Sequence, residues 1–135
     1  MSDPSIPAAH RDLLDAAGFA IVSTICDDGY PQSTALWFLL DGEVIRTSLH
    51  RSRQKYKNLL TRPQATLFVL DPANPYRTVE IRGDVTFADD ADKVFIRRLL
   101  AHYGQDPDTF PAPTDDRVVL TLTARHVVAF GDEAG

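Results

Sequence analysis

Residues 19–48 read FAIVSTICDDGYPQSTALWFLLDGEVIRTS, and this stretch decides the fold. Phe19 to Cys26 alternates in strand fashion, with Ala20, Val22, Thr24 and Cys26 on one face. Asp28-Gly29 is a hairpin signal, Pro31 to Leu40 reads as the return strand, and Asp41-Gly42 is a second such signal before Glu43 to Ser48. Three strands in succession predict a meander. Further along, Ala65 to Leu70 is an apolar strand, and Thr78 to Phe87 is another, with Gly83 marking a bulge or a close backbone approach. Arg117 to Phe130 is a long final strand. Six hairpin-connected strands with few helices predict a mainly β chain, closed or nearly closed as an antiparallel barrel rather than doubly wound.

The helical signals flank this frame. Pro7 suits the first turn of a helix that carries Leu13, Leu14 and Ala17 and ends at Gly18. Asp89 to Tyr103 places Ala91, Val94, Phe95, Leu99 and His102 at helical spacing and stops at Gly104. The Pro-rich stretches Asp71 to Tyr76 and Asp106 to Pro113 read as loops. At 135 residues and 44% hydrophobic content, the chain fits one domain, residues 1–135. The apolar outer faces of Phe19 to Cys26 and Val118 to Leu122 need cover, which a homodimer supplies.

Charge and cysteine usage narrow the function classes. Nineteen acidic against fourteen basic residues, a net charge of -5, oppose general nucleic-acid binding. No apolar run approaches the roughly 20 residues of a membrane span. Met1-Ser2-Asp3-Pro4 lacks the features of a signal peptide, so the expected location is cytoplasmic. Cys26 is the only cysteine and reads as a small buried hydrophobe in a reducing compartment.

Against that acidic background, Arg51-Ser52-Arg53-Gln54-Lys55-Tyr56-Lys57-Asn58 packs four cations into seven positions. It leads into a short helix, Arg53 to Leu60, with Leu59 and Leu60 as the apolar anchor and Ser52 placed as N-cap. Cations in a first turn oppose the helix dipole by up to roughly 1 kcal/mol unless an anion compensates. A helix start with free amides, Arg forks and Lys point charges suits a phosphate or carboxylate.

The Asp28-Gly29-Tyr30-Pro31-Gln32 hairpin, Ser52 to Leu60 followed by Pro63-Gln64-Ala65, and Glu80-Ile81-Arg82-Gly83 occur in an order that resembles the pyridoxamine 5'-phosphate oxidase-like split β-barrel superfamily. The resemblance runs from about Phe19 to Phe130. The Arg53, Lys55 and Lys57 pattern is more similar to the deazaflavin-dependent reductases, which use coenzyme F420. The resemblance implies a homodimeric split barrel with two cofactor grooves at the subunit interface. It implies that Arg53, Lys55 and Lys57 bind the cofactor phosphate, that Gln32, Ser33, Thr34 and Ala35 line the tricyclic ring, and that Ser48 and Leu49 lie against its other part. Tyr76 matches a position where related proteins put an aromatic near the ring. Trp37 reads either as a ring neighbour or as core. Only Gly131 to Gly135 follow Phe130, so pyridoxine phosphate is not the expected substrate. Arg51, Arg53, Lys55, Lys57 and Arg62 make five candidate cations where a monophosphate needs two or three, and the surplus favours coenzyme F420, with its oligoglutamate tail, over FMN.

With such a cofactor no catalytic acid or base is required, because the cofactor carries the hydride chemistry. The four histidines, His10, His50, His102 and His126, show no metal-ligand spacing, so no metal is expected. No nucleophile-elbow motif supports a hydrolase. The reading is an oxidoreductase passing hydride from reduced deazaflavin to a conjugated small molecule. A non-catalytic flavin or deazaflavin carrier and a haem-binding split barrel are the competing classes.

Overall fold

The computed structural model describes residues 5–131; the terminal segments 1–4 and 132–135, including the chain start read above, lie outside them. The first hairpin forms as its sequence predicts. β1 (Ala20–Ile25) and β2 (Pro31–Leu36) pair antiparallel, with Ala20 opposite Leu36 and Ile25 opposite Pro31. Gly29 takes a φ of 88° in the turn, and Asp28 accepts a 3.0 Å hydrogen bond from the Tyr30 amide.

The second hairpin departs from expectation. Residues 31–40 do not form one return strand: β2 ends at Leu36, and a separate β3 (Leu39–Asp41) pairs with β4 (Val44–His50) across the Gly42-Glu43 turn. The remaining strands are β5 (Gln64–Asp71), β6 (Asn74–Asp89) and β7 (Arg117–Phe130). Seven strands, not six, form one antiparallel sheet in the order β2-β1-β5-β6-β7-β4-β3. The meander is therefore interrupted, because β2 and β3 lie at opposite edges of the sheet.

That placement forces closure. Trp37 and Phe38 alone connect the two edges, and three Cα steps reach at most about 11 Å. A flat sheet of this order would hold its edges about 29 Å apart. The sheet must curl until they meet, and the result is a barrel split between β2 and β3. Phe38 is fully buried at the link, and its amide donates to the Tyr103 hydroxyl at 3.0 Å instead of to a strand.

The interior holds alternate residues of every long strand, among them Val22, Ile45, Leu67, Val79, Ile81, Leu120 and Leu122. Val118, Leu120 and Leu122 thus point inward and need no partner, contrary to the expectation for that segment; the outer face there, at Val119, is covered by α3 (Val94–His102). This helix starts later than its periodicity suggested. Asp89 still pairs in β6, and the buried Asp90 carboxylate accepts the amides of Phe95 and Ile96 at 3.0 and 2.9 Å. At the other end of the chain, the predicted helix is only a 3-10 turn, Ala8–His10, and a short α1 (Arg11–Asp15).

The segment Asp71 to Tyr76 is not an open loop. Asp71 pairs with Asn74 across a two-residue Pro72-Ala73 turn, so Tyr76 sits on β6. Buried Arg77 pins this hairpin to α1, donating to Asp12, Asp71 and the Ala9 carbonyl. Gly83 is a close backbone approach, as predicted: a Cβ there would fall 2.1 Å from the Thr123 carbonyl oxygen. The β6–β7 register shifts at this point, leaving Arg125 as the extra residue. Because Gly83 is crossed by backbone that cannot swing aside, Gly83→Ala should lower unfolding stability by about 1–3 kcal/mol in urea titrations.

Candidate cofactor site

The split leaves two strand edges without partners. β3 pairs with β4 only as far as Arg46, so Thr47–His50 have β7 on one side and no strand on the other. Thr34–Leu36 of β2 pair with β1 on one side only. Between these edges lies a pocket of about 280 Å³ lined by Thr34, Ala35, Leu36, Ser48, Leu49, His50, Arg53, Lys55 and Arg117.

The chain turns after β4 into α2 (Gln54–Thr61), which brings the basic residues over this pocket. Arg53, not Ser52, occupies the N-cap position; the Ser52 hydroxyl is instead 2.7 Å from His50 Nδ1. Leu59 is buried, but Leu60 is exposed, and the anchor's second member is Asn58. The Asn58 side-chain amide donates to Thr24 Oγ1 at 3.0 Å and to Gln32 Oε1 at 3.4 Å, and Gln54 donates to its oxygen at 2.9 Å. Its amide nitrogen also lies 3.5 Å from Cys26 Sγ, so the half-buried thiol packs behind the helix. Tyr56 adds an edge-on contact with Phe87.

The helix so held directs Lys55 across the split, where its ammonium donates to Thr34 Oγ1 at 3.0 Å. Burial, then the charge of Arg53, pushes the Lys55 amine below the usual lysine range. Arg117 is pushed down by the same two causes, with Asp90 opposing. Among the described residues, Arg53, Lys55, Lys57 and Arg117 have no carboxylate at ion-pair distance. Arg51 and Arg62 do: Arg51 pairs with Asp89 and Asp116, and Arg62 with Asp27. The five cations counted along the sequence therefore do not act together.

Six of the ten candidate residues, Thr34, Ala35, Ser48, Leu49, Arg53 and Lys55, surround the pocket. Four do not line it. Gln32 is turned behind α2, Ser33 bonds Ser23 across the hairpin at 2.8 Å, Lys57 points to solvent, and Tyr76 is exposed on the hairpin fastened by Arg77. Arg117 went unread in the sequence because it lies 64 residues beyond Arg53. Only the β4–β7 register, which sets His50 opposite Arg117, brings it in.

A second compartment of about 300 Å³ continues from the first, sharing Ala35, Leu36, Ser48, Arg53 and Arg117 and adding Trp37, Ile96, Leu99, Leu100 and Phe110. Trp37 is stacked on Tyr103 with ring centroids 4.5 Å apart. It is at once packed against the α3 cluster and part of the compartment wall.

A split antiparallel barrel with a cationic cleft along its seam is the class of protein these features define. The model of the pyridoxamine 5'-phosphate oxidase family matches residues 6–130, and the chain belongs to that family of oxidoreductases. It is similar to a solved F420 reductase, with 34% identity over 91% of this chain and 98% of that one and a TM-score of 0.84. It is also similar in fold to the conserved hypothetical protein Rv2991 from Mycobacterium tuberculosis, at 21% identity over 98% and 89% of the two chains with a TM-score of 0.75. General Stress Protein 26 from Bacillus anthracis shares the fold at 15% identity over 92% of each chain, with a TM-score of 0.67. No curated protein gives a match. No helix among the described residues is long and apolar enough to cross a membrane.

The depressed Lys55 fixes a pH dependence. Below its pKa in the free protein the ammonium attracts an anion; as pH rises through that value, which lies under the ordinary 10.5, the charge is lost and so is the attraction. Affinity for a simple phosphodiester, whose own charge is constant, should fall over that alkaline range in calorimetric titrations, with proton uptake on binding. Lys55→Met should bind more weakly and without this lysine's pH dependence.

Proposed function

We propose that this chain is an F420-dependent oxidoreductase that passes hydride to a conjugated organic acceptor. The observation that carries an anionic cofactor is the group Arg53, Lys55 and Arg117, converging on one pocket with no carboxylate at ion-pair distance among the described residues. Lys55 and Arg117 are partly buried without an ion pair among those residues, which is costly, and a phosphate offsets that cost. The choice of deazaflavin is supported by the 34% identity to an F420 reductase.

In this reading Arg53 and Lys55 hold the phosphate, with Lys57 at the exposed rim. Thr34 and Ser48 offer hydroxyls, while Ala35 and Leu49 give the pocket small apolar surfaces. Reduced deazaflavin, when bound, supplies the hydride. The protein's own part is to orient and to exclude water, and no side chain is assigned as acid or base. The oligoglutamate tail has less support than the cation count suggested, since Arg51 and Arg62 already serve aspartates. That same observation favours FMN as the second reading: three cations suffice for a monophosphate.

Each chain forms one split-barrel domain in a cytoplasmic homodimer, in keeping with its lone Cys26. Ile21, Val128 and Phe130 are exposed on the outer face, where the register carries Ile21 to Phe68, Glu80 and Val128 in one row. Apart from Glu80, which pairs with Arg82, this row is apolar, and it supports the dimer, with cofactor sites at the subunit interface.

Titration with F420 and with FMN, followed by quenching of Trp37, the only tryptophan, should give saturable binding that is tighter for F420. Removing a charge-assisted contact in Lys55→Met should weaken it about tenfold or more. No saturable binding of either would remove the proposal, tighter FMN binding would select the second reading, and tight F420 binding without reduction of any enone or quinone would indicate a carrier. Sedimentation should report a dimer, and Ile21→Glu should shift it toward monomer.

A further inference from the structure

We propose that the apolar compartment beside the anion pocket binds a flat, apolar-bodied carboxylic acid, whose carboxylate Arg117 receives. The body of such a molecule meets Trp37, Ile96, Leu99, Leu100 and Phe110. This wall is preset. Trp37 and Tyr103 lie within 12° of parallel, and the Tyr103 hydroxyl is fixed by donating to the Gly18 carbonyl at 2.6 Å while accepting the Phe38 amide. A rigid aromatic wall bounding about 300 Å³ suits a fused-ring or extended conjugated guest.

Arg117 gives the compartment its selectivity. Its Nε donates to the Pro113 carbonyl at 2.7 Å and one Nη donates to Ser48 Oγ at 3.3 Å, both neutral acceptors. Half-buried and without an ion pair among the described residues, with Asp90 acting on it only from beyond ion-pair distance, it holds its charge at the rim of an apolar space. A carboxylate matches its planar fork. Burial, and then the charge of Arg53, lowers the Arg117 pKa, and a carboxylate guest offsets both.

As an acceptor site the compartment rests on the deazaflavin reading, and it narrows the acceptor to conjugated or aromatic acids. As a carboxylate site it is measured without any cofactor. Naphthalene carboxylate and the neutral naphthalene carboxamide are the probes, titrated against Trp37 fluorescence, which reports from the compartment wall. The wild-type protein should prefer the carboxylate by about tenfold. In Arg117→Met the ratio should fall to about one, while the carboxamide binds as before and so shows that the compartment is intact. Equal affinity for the two probes in wild-type protein overturns the proposal, as does a preference that survives Arg117→Met or is lost only in Arg53→Met. If F420 binds while the probes are not distinguished, this inference alone fails. If neither F420 nor FMN binds while the carboxylate preference holds, the cofactor reading fails and the carboxylate site stands.

Discussion

The two-residue link Trp37-Phe38 is the constraint from which the architecture follows. It ties the outermost strands of a seven-stranded sheet, so the sheet has no flat conformation. Burial of Phe38 and the capture of its amide by Tyr103 hold the link in place. Because β3 is short, the seam beyond it lacks a hydrogen-bond ladder, and the cleft occupies that seam. Fold closure and site formation thus share one cause: the edges are brought together but are not joined.

Electrostatic sorting then sets the character of the cleft. The chain is acidic overall, yet its aspartates are distributed to particular arginines: Asp89 and Asp116 to Arg51, Asp27 to Arg62, Asp108 to Arg97, Asp41 to Arg46 and Arg98. The exposed pairs among them, such as Arg62–Asp27 and Arg97–Asp108, add little stability individually. Their effect is spatial, since they engage positive charge elsewhere in the chain and leave Arg53, Lys55 and Arg117 without an ion pair among the described residues. A net charge of -5 and a cationic groove are compatible for that reason.

Local features were legible in the sequence, and long-range ones were not. The hairpin turns at Asp28-Gly29 and Asp41-Gly42 and the close approach at Gly83 follow from backbone chemistry within a few residues. The break after Leu36 was hidden, because Leu36-Trp37-Phe38-Leu39-Leu40 is uniformly apolar and carries neither Gly nor Pro. The late start of α3 was hidden because its cap, Asp90, acts on amides five and six residues away across a left-handed Lys93. In the cleft, the cluster of basic residues after β4 was visible as a sequence run, but its division into paired and unpaired members depends on acidic residues elsewhere in the chain. Arg117 depends on strand register, and Tyr76 lies on β6 because a two-residue turn takes the place of the expected loop.

Asn58 gives the arrangement a property that charge alone would not. It is the buried residue that fastens α2 to β1 and β2, and it does so with an uncharged carboxamide that bonds Thr24, Gln32 and Gln54. An aspartate of the same size in that place would also reach these partners, but it would set a permanent counterion one helical turn from Lys55. By mooring the helix with a neutral group, the protein keeps mechanical attachment separate from electrical potential. The charge of Lys55 is thus left to whatever enters the cleft.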